Sequence, residues 1–133
     1  MRKQLPHHHA HTDEAEKLAC RLEKISDFQV VSDVFKLLSD SSRIRIFWLL
    51  CHCEECVMNI SVLVDMSSPA VSHHLRQLKT SGLIVSRRDG KEVYYKAADT
   101  EVSHLLHCTI EKTMAMTCPH DEEGAVDGTG VSC

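Results

Sequence analysis

The chain lacks any apolar run of the length a bilayer crossing needs, about twenty residues, and lacks a signal-peptide apolar stretch near its N-terminus. A membrane partner is therefore not expected, and the reading is a cytoplasmic protein. Internal repeats are also missing. No nucleophile, base and substrate pocket can be picked out of a chain this short and helical, so neither an enzyme nor a small-molecule substrate is expected. Aromatic residues are few, and the single tryptophan, Trp48, is expected in the core. With 133 residues, one small domain with tails is the expected organisation. Cysteine, by contrast, is abundant at 7 residues. In a cytosolic chain that number argues for thiolate chemistry rather than disulfides.

The formal net charge of −4 opposes nucleic-acid binding only if it is spread evenly, and it is not. Between Ser67 and Lys96 there are 6 Lys or Arg against Asp89 and Glu92, while Asp121, Glu122, Glu123 and Asp127 gather after Cys118. Affinity for DNA follows the local field and the counterions released, so the basic segment counts for more than the total.

That segment has the organisation of a DNA reader. Ser67 or Ser68 can cap a helix, and Pro69 suits its first turn, where no donor is needed. Val71, Leu75 and Leu78 then recur at helical spacing as a buried stripe. The opposite face carries Ser68, Ser72, His73, Arg76 and Gln77, hydrogen-bonding and cationic side chains of the kind a major groove accepts. Two β-prone runs follow, Leu83–Arg88 and Lys91–Lys96, flanking Asp89-Gly90, a strong hairpin signal. Closure around that pair sets Arg88 opposite Lys91. Such a like-charge pair is more easily understood beside an anion, so Arg87, Arg88 and Lys91 join the expected double-stranded DNA contacts.

From Phe35 to Met114 the chain resembles the ArsR/SmtB family of winged helix-turn-helix repressors. The resemblance rests on Leu38-Ser39-Asp40-Ser41-Ser42-Arg43-Ile44-Arg45-Ile46, on Ala70-Val71-Ser72-His73-His74-Leu75 and on Gly90-Lys91-Glu92-Val93-Tyr94-Tyr95. It implies a mainly α fold with a β-hairpin wing. It also implies a homodimer that represses its own operon and leaves operator DNA when a metal ion or oxidant binds.

The expected order is a flexible His-rich arm (1–11), a winged helix-turn-helix DNA-binding and dimerisation domain (12–117) and a disordered acidic tail (118–133). Helices are expected over Thr12–Ile25, Asp27–Leu38, Ser41–Leu50 (capped by Ser39 or Asp40) and near Ile60–Val64, then the reading helix and wing. A last helix runs from a cap at Asp99 or Thr100 to about Met116. Its Val102, Leu105, Leu106, Ile110 and Met114 form a stripe broad enough for a partner helix, so the dimer is expected there.

Two ligand sets stand out. Cys51-His52-Cys53-Glu54-Glu55-Cys56 can bring three sulfurs to one soft or borderline ion: Zn(II), Cd(II), Pb(II), Cu(I) or As(III). By resemblance, Cys56 falls where relatives with a site on the short helix carry their first cysteine, and Met58 replaces the second. A variant site of Cys51, Cys53 and Cys56 is therefore expected, joined by Cys20 of the partner subunit. On the last helix, His104 and His107 share a face, and Asp99, Cys108, Cys118 or His120 can complete a different site. The zinc site that relatives place on this helix is not reproduced: Glu101 replaces its histidine, and Lys112 and Ala115 stand at two later ligand positions. His7, His8, His9 and His11 would bind transition metals weakly in any flexible chain, and His74 is expected to be partly packed. The leading function is a repressor released by a thiophilic ion (Cd, Pb, Zn or As(III)). The alternative is a redox or persulfide sensor pairing Cys51 or Cys53 with Cys108 or Cys118.

Overall fold

The computed structural model describes residues 4–118, and the chain divides into two compact units between Leu37 and Leu38. The acidic tail beyond Cys118 and His120 lie outside the described residues. The first unit holds α1 (Thr12–Leu22) and α2 (Ile25–Leu37), preceded by residues 4–11 without helix or strand. The Thr12 hydroxyl closes the entry to α1: it accepts from the His9 N–H at 2.6 Å and donates to the His9 carbonyl at 2.9 Å. The expected first helix to Ile25 is interrupted at Glu23-Lys24. There the Lys24 carbonyl accepts from the Asp27 N–H, and Asp27 sits in the first turn of α2, where a negative charge meets the positive helix end. Leu18, Leu22, Phe28, Val31 and Phe35 are all exposed.

The second unit runs α3 (Ser41–His52), β1 (Glu55–Cys56), α4 (Val57–Val64), α5 (Ser68–Thr80), β2 (Ile84–Asp89), β3 (Glu92–Ala97) and α6 (Glu101–Thr117). Each of the three longer helices opens on a side-chain cap: Asp40 accepts from Arg43 N–H, Ser67 from Ala70 N–H and Thr100 from Ser103 N–H. Such a cap is worth about 1 kcal/mol and fixes where the helix begins. Val71, Leu75 and Leu78 of α5 are at most 1% exposed, and Ile46, Phe47 and Leu50 of α3 at most 2%. This packing decides which side of α5 faces outward.

α6 divides the apolar stripe expected on it. Leu106 and Ile110 are buried, and the Ser103 hydroxyl donates to the Leu83 carbonyl at 3.0 Å, while Val102, Leu105 and Met114 stay exposed. Helical spacing allots these residues to two faces, one for the chain's own core and one for something else.

The strands form an antiparallel sheet in the order β1-β3-β2. Its two-residue strand β1 is too short to show a period and was not expected. The hairpin closes one residue later than expected. Asp89 pairs with Glu92, the loop is Gly90-Lys91, and Arg88 faces Val93 rather than Lys91. The physical reason is conformational: positive φ is required only at Gly90 (61°), so Asp89 remains in the strand. Trp48 is also placed differently. It is half-buried at the rim of the core, where its N–H finds a partner.

Truncating Leu75 to alanine leaves a cavity that α3 and α5 cannot close, and should cost about 2–5 kcal/mol in urea unfolding. The same change at exposed Leu63 should cost less than about 0.5 kcal/mol. Equal effects would contradict the packing.

Candidate nucleic-acid interface and ligand cluster

The outward side of α5 carries His73 and Arg76 exposed and Ser72 half-buried. No acid occupies its first turn, so the positive end of the helix is left available to phosphate oxygens. Ser68 does a different job: its hydroxyl lies 3.2 Å from the Ser61 hydroxyl of α4. That contact ties α4 to the start of α5. Gln77 is half-buried, with its side-chain oxygen enclosed and without a hydrogen-bond partner among the described residues. Burial pushes the neighbouring His74 imidazole below its ordinary value against a partial pull from Asp40, in keeping with a partly packed histidine.

At the wing tip, Arg88 and Lys91 stand exposed. Arg87 does not share their freedom. Its Nη2 and Nε lie 2.6 and 2.8 Å from Glu54 Oε1, and its guanidinium sits 4.8 Å from the centre of the Tyr94 ring. The hydrogen bond from Arg87 holds the Glu54 carboxyl below its usual range. Glu54 lies in the cysteine segment, so this bond and the β1–β3 pairing attach that segment to the wing.

The three cysteines of that segment are placed apart. Cys56 is buried in β1 opposite Tyr94. Cys51 is half-buried and Cys53 is exposed, its thiol donating to the Leu49 carbonyl at 3.4 Å. Cys51 and Cys53 both line a cleft of about 330 Å³ together with His52, His104 and His107, and Cys56 does not. Burial and then the charge of Glu111 push the Cys51 thiol up to about 12. Burial and then Glu55 raise that of Cys53. Cys20 and Cys118 are exposed.

His104 and His107, expected to serve one ion together, go separate ways. His104 lies at the surface with Nε2 3.0 Å from Asp99 Oδ1, whereas His107 is buried. Among the described residues one group of His, Cys, Asp or Glu side chains converges as a metal site would, and it is His52, His107 and Glu111. Glu111 Oε1 also accepts from Trp48 Nε1 at 2.9 Å. Burial pushes the Glu111 carboxyl up, but hydrogen bonds from Trp48, His52 and His107 outweigh it and hold the group below its ordinary value. Glu111 was not anticipated. The available signal was its i, i+4 spacing from His107, matched by Trp48 and His52 on α3.

Residues 40–86 match the family model described as bacterial regulatory protein, arsR family. The chain is 37% identical over 101 residues to the cadmium resistance transcriptional regulatory protein CadC of Listeria innocua, covering 75% of this chain and 84% of that protein. It is 39% identical over 97 residues to the arsenical resistance operon repressor of Escherichia coli, covering 67% and 83%. Among solved structures, it resembles the homodimeric winged helix-turn-helix DNA-binding domain of a possible ArsR-family regulator from Mycobacterium bovis. That likeness has a TM-score of 0.64 and 29% identity, and covers 73% of this chain and 89% of that one.

A thiol near 12 is ionised in about one molecule in ten thousand at pH 8. In the reduced, metal-free protein, Cys51 should therefore be alkylated by iodoacetamide at least about tenfold more slowly than exposed Cys20. Its rate should keep rising with pH past 9, where an ordinary thiol levels off. Timed alkylation with peptide mass spectrometry checks this, and equal rates would contradict the burial of Cys51.

Proposed function

The chain belongs to the arsR family of bacterial regulatory proteins, and from that premise we propose that it is a homodimeric repressor that a metal ion releases from operator DNA. Each protomer presents α5 to a major groove and rests its wing on the adjacent backbone, the two protomers meeting successive half-sites. The observation that carries this reading is the outward face of α5, where Ser72, His73 and Arg76 stand over a fully buried stripe. Arg76 is assigned to base edges and Arg88 and Lys91 to phosphates. Ser68, Gln77 and Arg87 shape the surface from behind, through Ser61, the enclosed side of α5 and Glu54 respectively.

A second protomer is supported by the uncovered apolar face of α6, Val102, Leu105 and Met114. Response to an ion is supported by similarity to a cadmium resistance regulator and an arsenical resistance repressor. For a thiophilic ion such as Cd(II), Pb(II) or As(III), we assign Cys51 and Cys53, which already share a cleft. Cys56 would complete the set when the β1–β3 pairing opens. Ligation then strips protons from raised thiols and shifts the segment bonded to the wing. The ion must bind the DNA-free geometry more tightly than the DNA-bound one, since equal binding to both would shift nothing.

Fluorescence anisotropy of the reduced protein on its upstream DNA tests the assignment. Arg76→Ala should cost about 1–3 kcal/mol of operator affinity and relax discrimination between sequences. Arg88→Ala should weaken all sequences alike and flatten the salt dependence by about one unit per protomer. Unchanged affinity in both variants would remove α5 and the wing from the interface.

A further inference from the structure

We propose that His52, His107 and Glu111 form a binding site for one divalent ion of borderline hardness, such as Zn(II), Co(II) or Ni(II), with no cysteine among its ligands. The three candidate ligand atoms make an equilateral triangle. His52 Nε2 to Glu111 Oε1, His107 Nε2 to Glu111 Oε1 and His107 Nε2 to His52 Nε2 are each 3.2 Å. Tetrahedral bonds of about 2.0–2.1 Å set neighbouring donor atoms about 3.3–3.4 Å apart, so the triangle is already one face of a zinc-sized tetrahedron. Two imidazoles and a carboxylate suit borderline ions, and with no sulfur in the set a soft ion has no reason to prefer it.

The supporting shell is also in place. Trp48 lies one turn before His52 on α3, packs against its ring at 4.5 Å between centroids with the planes tilted by 51°, and donates to Glu111 Oε1. Indole N–H is a donor only, so it fixes the carboxylate without competing for the ion. Without an ion the arrangement is awkward. Two ring nitrogens face each other at 3.2 Å, where one proton fits and two collide, and a single carboxylate oxygen receives all three neighbours. One dipositive ion would satisfy all three ligands at once. His107 closes the inner side, being buried, while His52 and Glu111 leave an outer side open for entry and for a water as fourth ligand.

The site would fasten the end of α3 to the middle of α6. The next residues after His52 lead through Glu54 to Arg87 of the wing, giving a borderline ion its own route to the DNA-facing surface. The site itself stands or falls without the DNA-binding proposal.

The test is a Co(II) titration of the full chain, reduced and metal-free, with His7, His8, His9 and His11 changed to alanine to remove the weak N-terminal sites. We expect one equivalent bound, with visible d–d absorption, no near-ultraviolet thiolate-to-cobalt band and quenching of Trp48 fluorescence. His52→Ala and Glu111→Gln, both at positions outside the core, should each weaken binding by more than about a hundredfold, beyond what loss of an outer-shell partner does. Cys51→Ala with Cys53→Ser should leave it unchanged. No uptake, a thiolate band lost with those cysteines, or uptake and quenching indifferent to His52→Ala and Glu111→Gln would each overturn the proposal. None of these readouts involves DNA, so a failed operator experiment and a failed metal site are told apart.

Discussion

The burial of Val71, Leu75 and Leu78 beneath α3 is the constraint on which the rest depends. Each fully buried side chain of this size contributes about 1.5–3 kcal/mol, so turning α5 about its axis would expose several kcal/mol of apolar surface. The outward face, with His73 and Arg76, is therefore not a matter of choice once the inward face is satisfied. The same core holds the start of the wing. Leu83 and Ile84 are buried directly after α5, and the Ala98 N–H donates to the Leu83 carbonyl at 2.9 Å where β3 ends. Reading helix and wing are thus anchored in one packed unit, and their spacing can serve as a ruler for DNA.

The segment between α3 and α4 is the second joint. β1 adds Glu55 and Cys56 to the edge of the wing's sheet, and Glu54 grips Arg87. An exposed ion pair of this kind contributes little stability by itself. Its value is geometric, because a ligand that moves Cys51, His52 or Cys53 also moves the partner of a wing arginine. In the proposed mechanism soft ions would meet the raised thiols of Cys51 and Cys53 in the cleft and would have to displace their protons. Borderline ions would instead meet the nitrogen and oxygen atoms already facing one another across α3 and α6.

Much of this was legible in the residues, and the failures are instructive. The reading helix and its stripe follow from spacing, because a long amphipathic helix leaves a strong period, while the choice of Ser67 over Ser68 as its cap is made by the structure. The hairpin was foreseen but its register slipped by one, since Asp89-Gly90 and Gly90-Lys91 both satisfy a glycine-dependent turn and only the paired strands decide. Three cysteines close in sequence suggested one site, yet Cys56 enters a strand and turns toward the core. Two residues of strand carry no readable period. Glu111 is not legible in the sequence for a different reason. Its partners lie 59 and 63 residues away on α3, and only packing brings them together. The broad stripe of α6 was visible, whereas its division into a core face and an outer face depends on which neighbour it meets.

The central claim is that the outward side of α5 and the wing tip meet DNA. It is tested most directly by ¹⁵N amide chemical shifts of the full chain, titrated with a duplex from the region upstream of its gene. The account predicts perturbations concentrated at Ser72, His73, Arg76 and from Arg88 to Lys91, with Val102 and Leu105 of α6 little changed. Perturbations centred on α6, with α5 and the wing tip left as in the free protein, would contradict it.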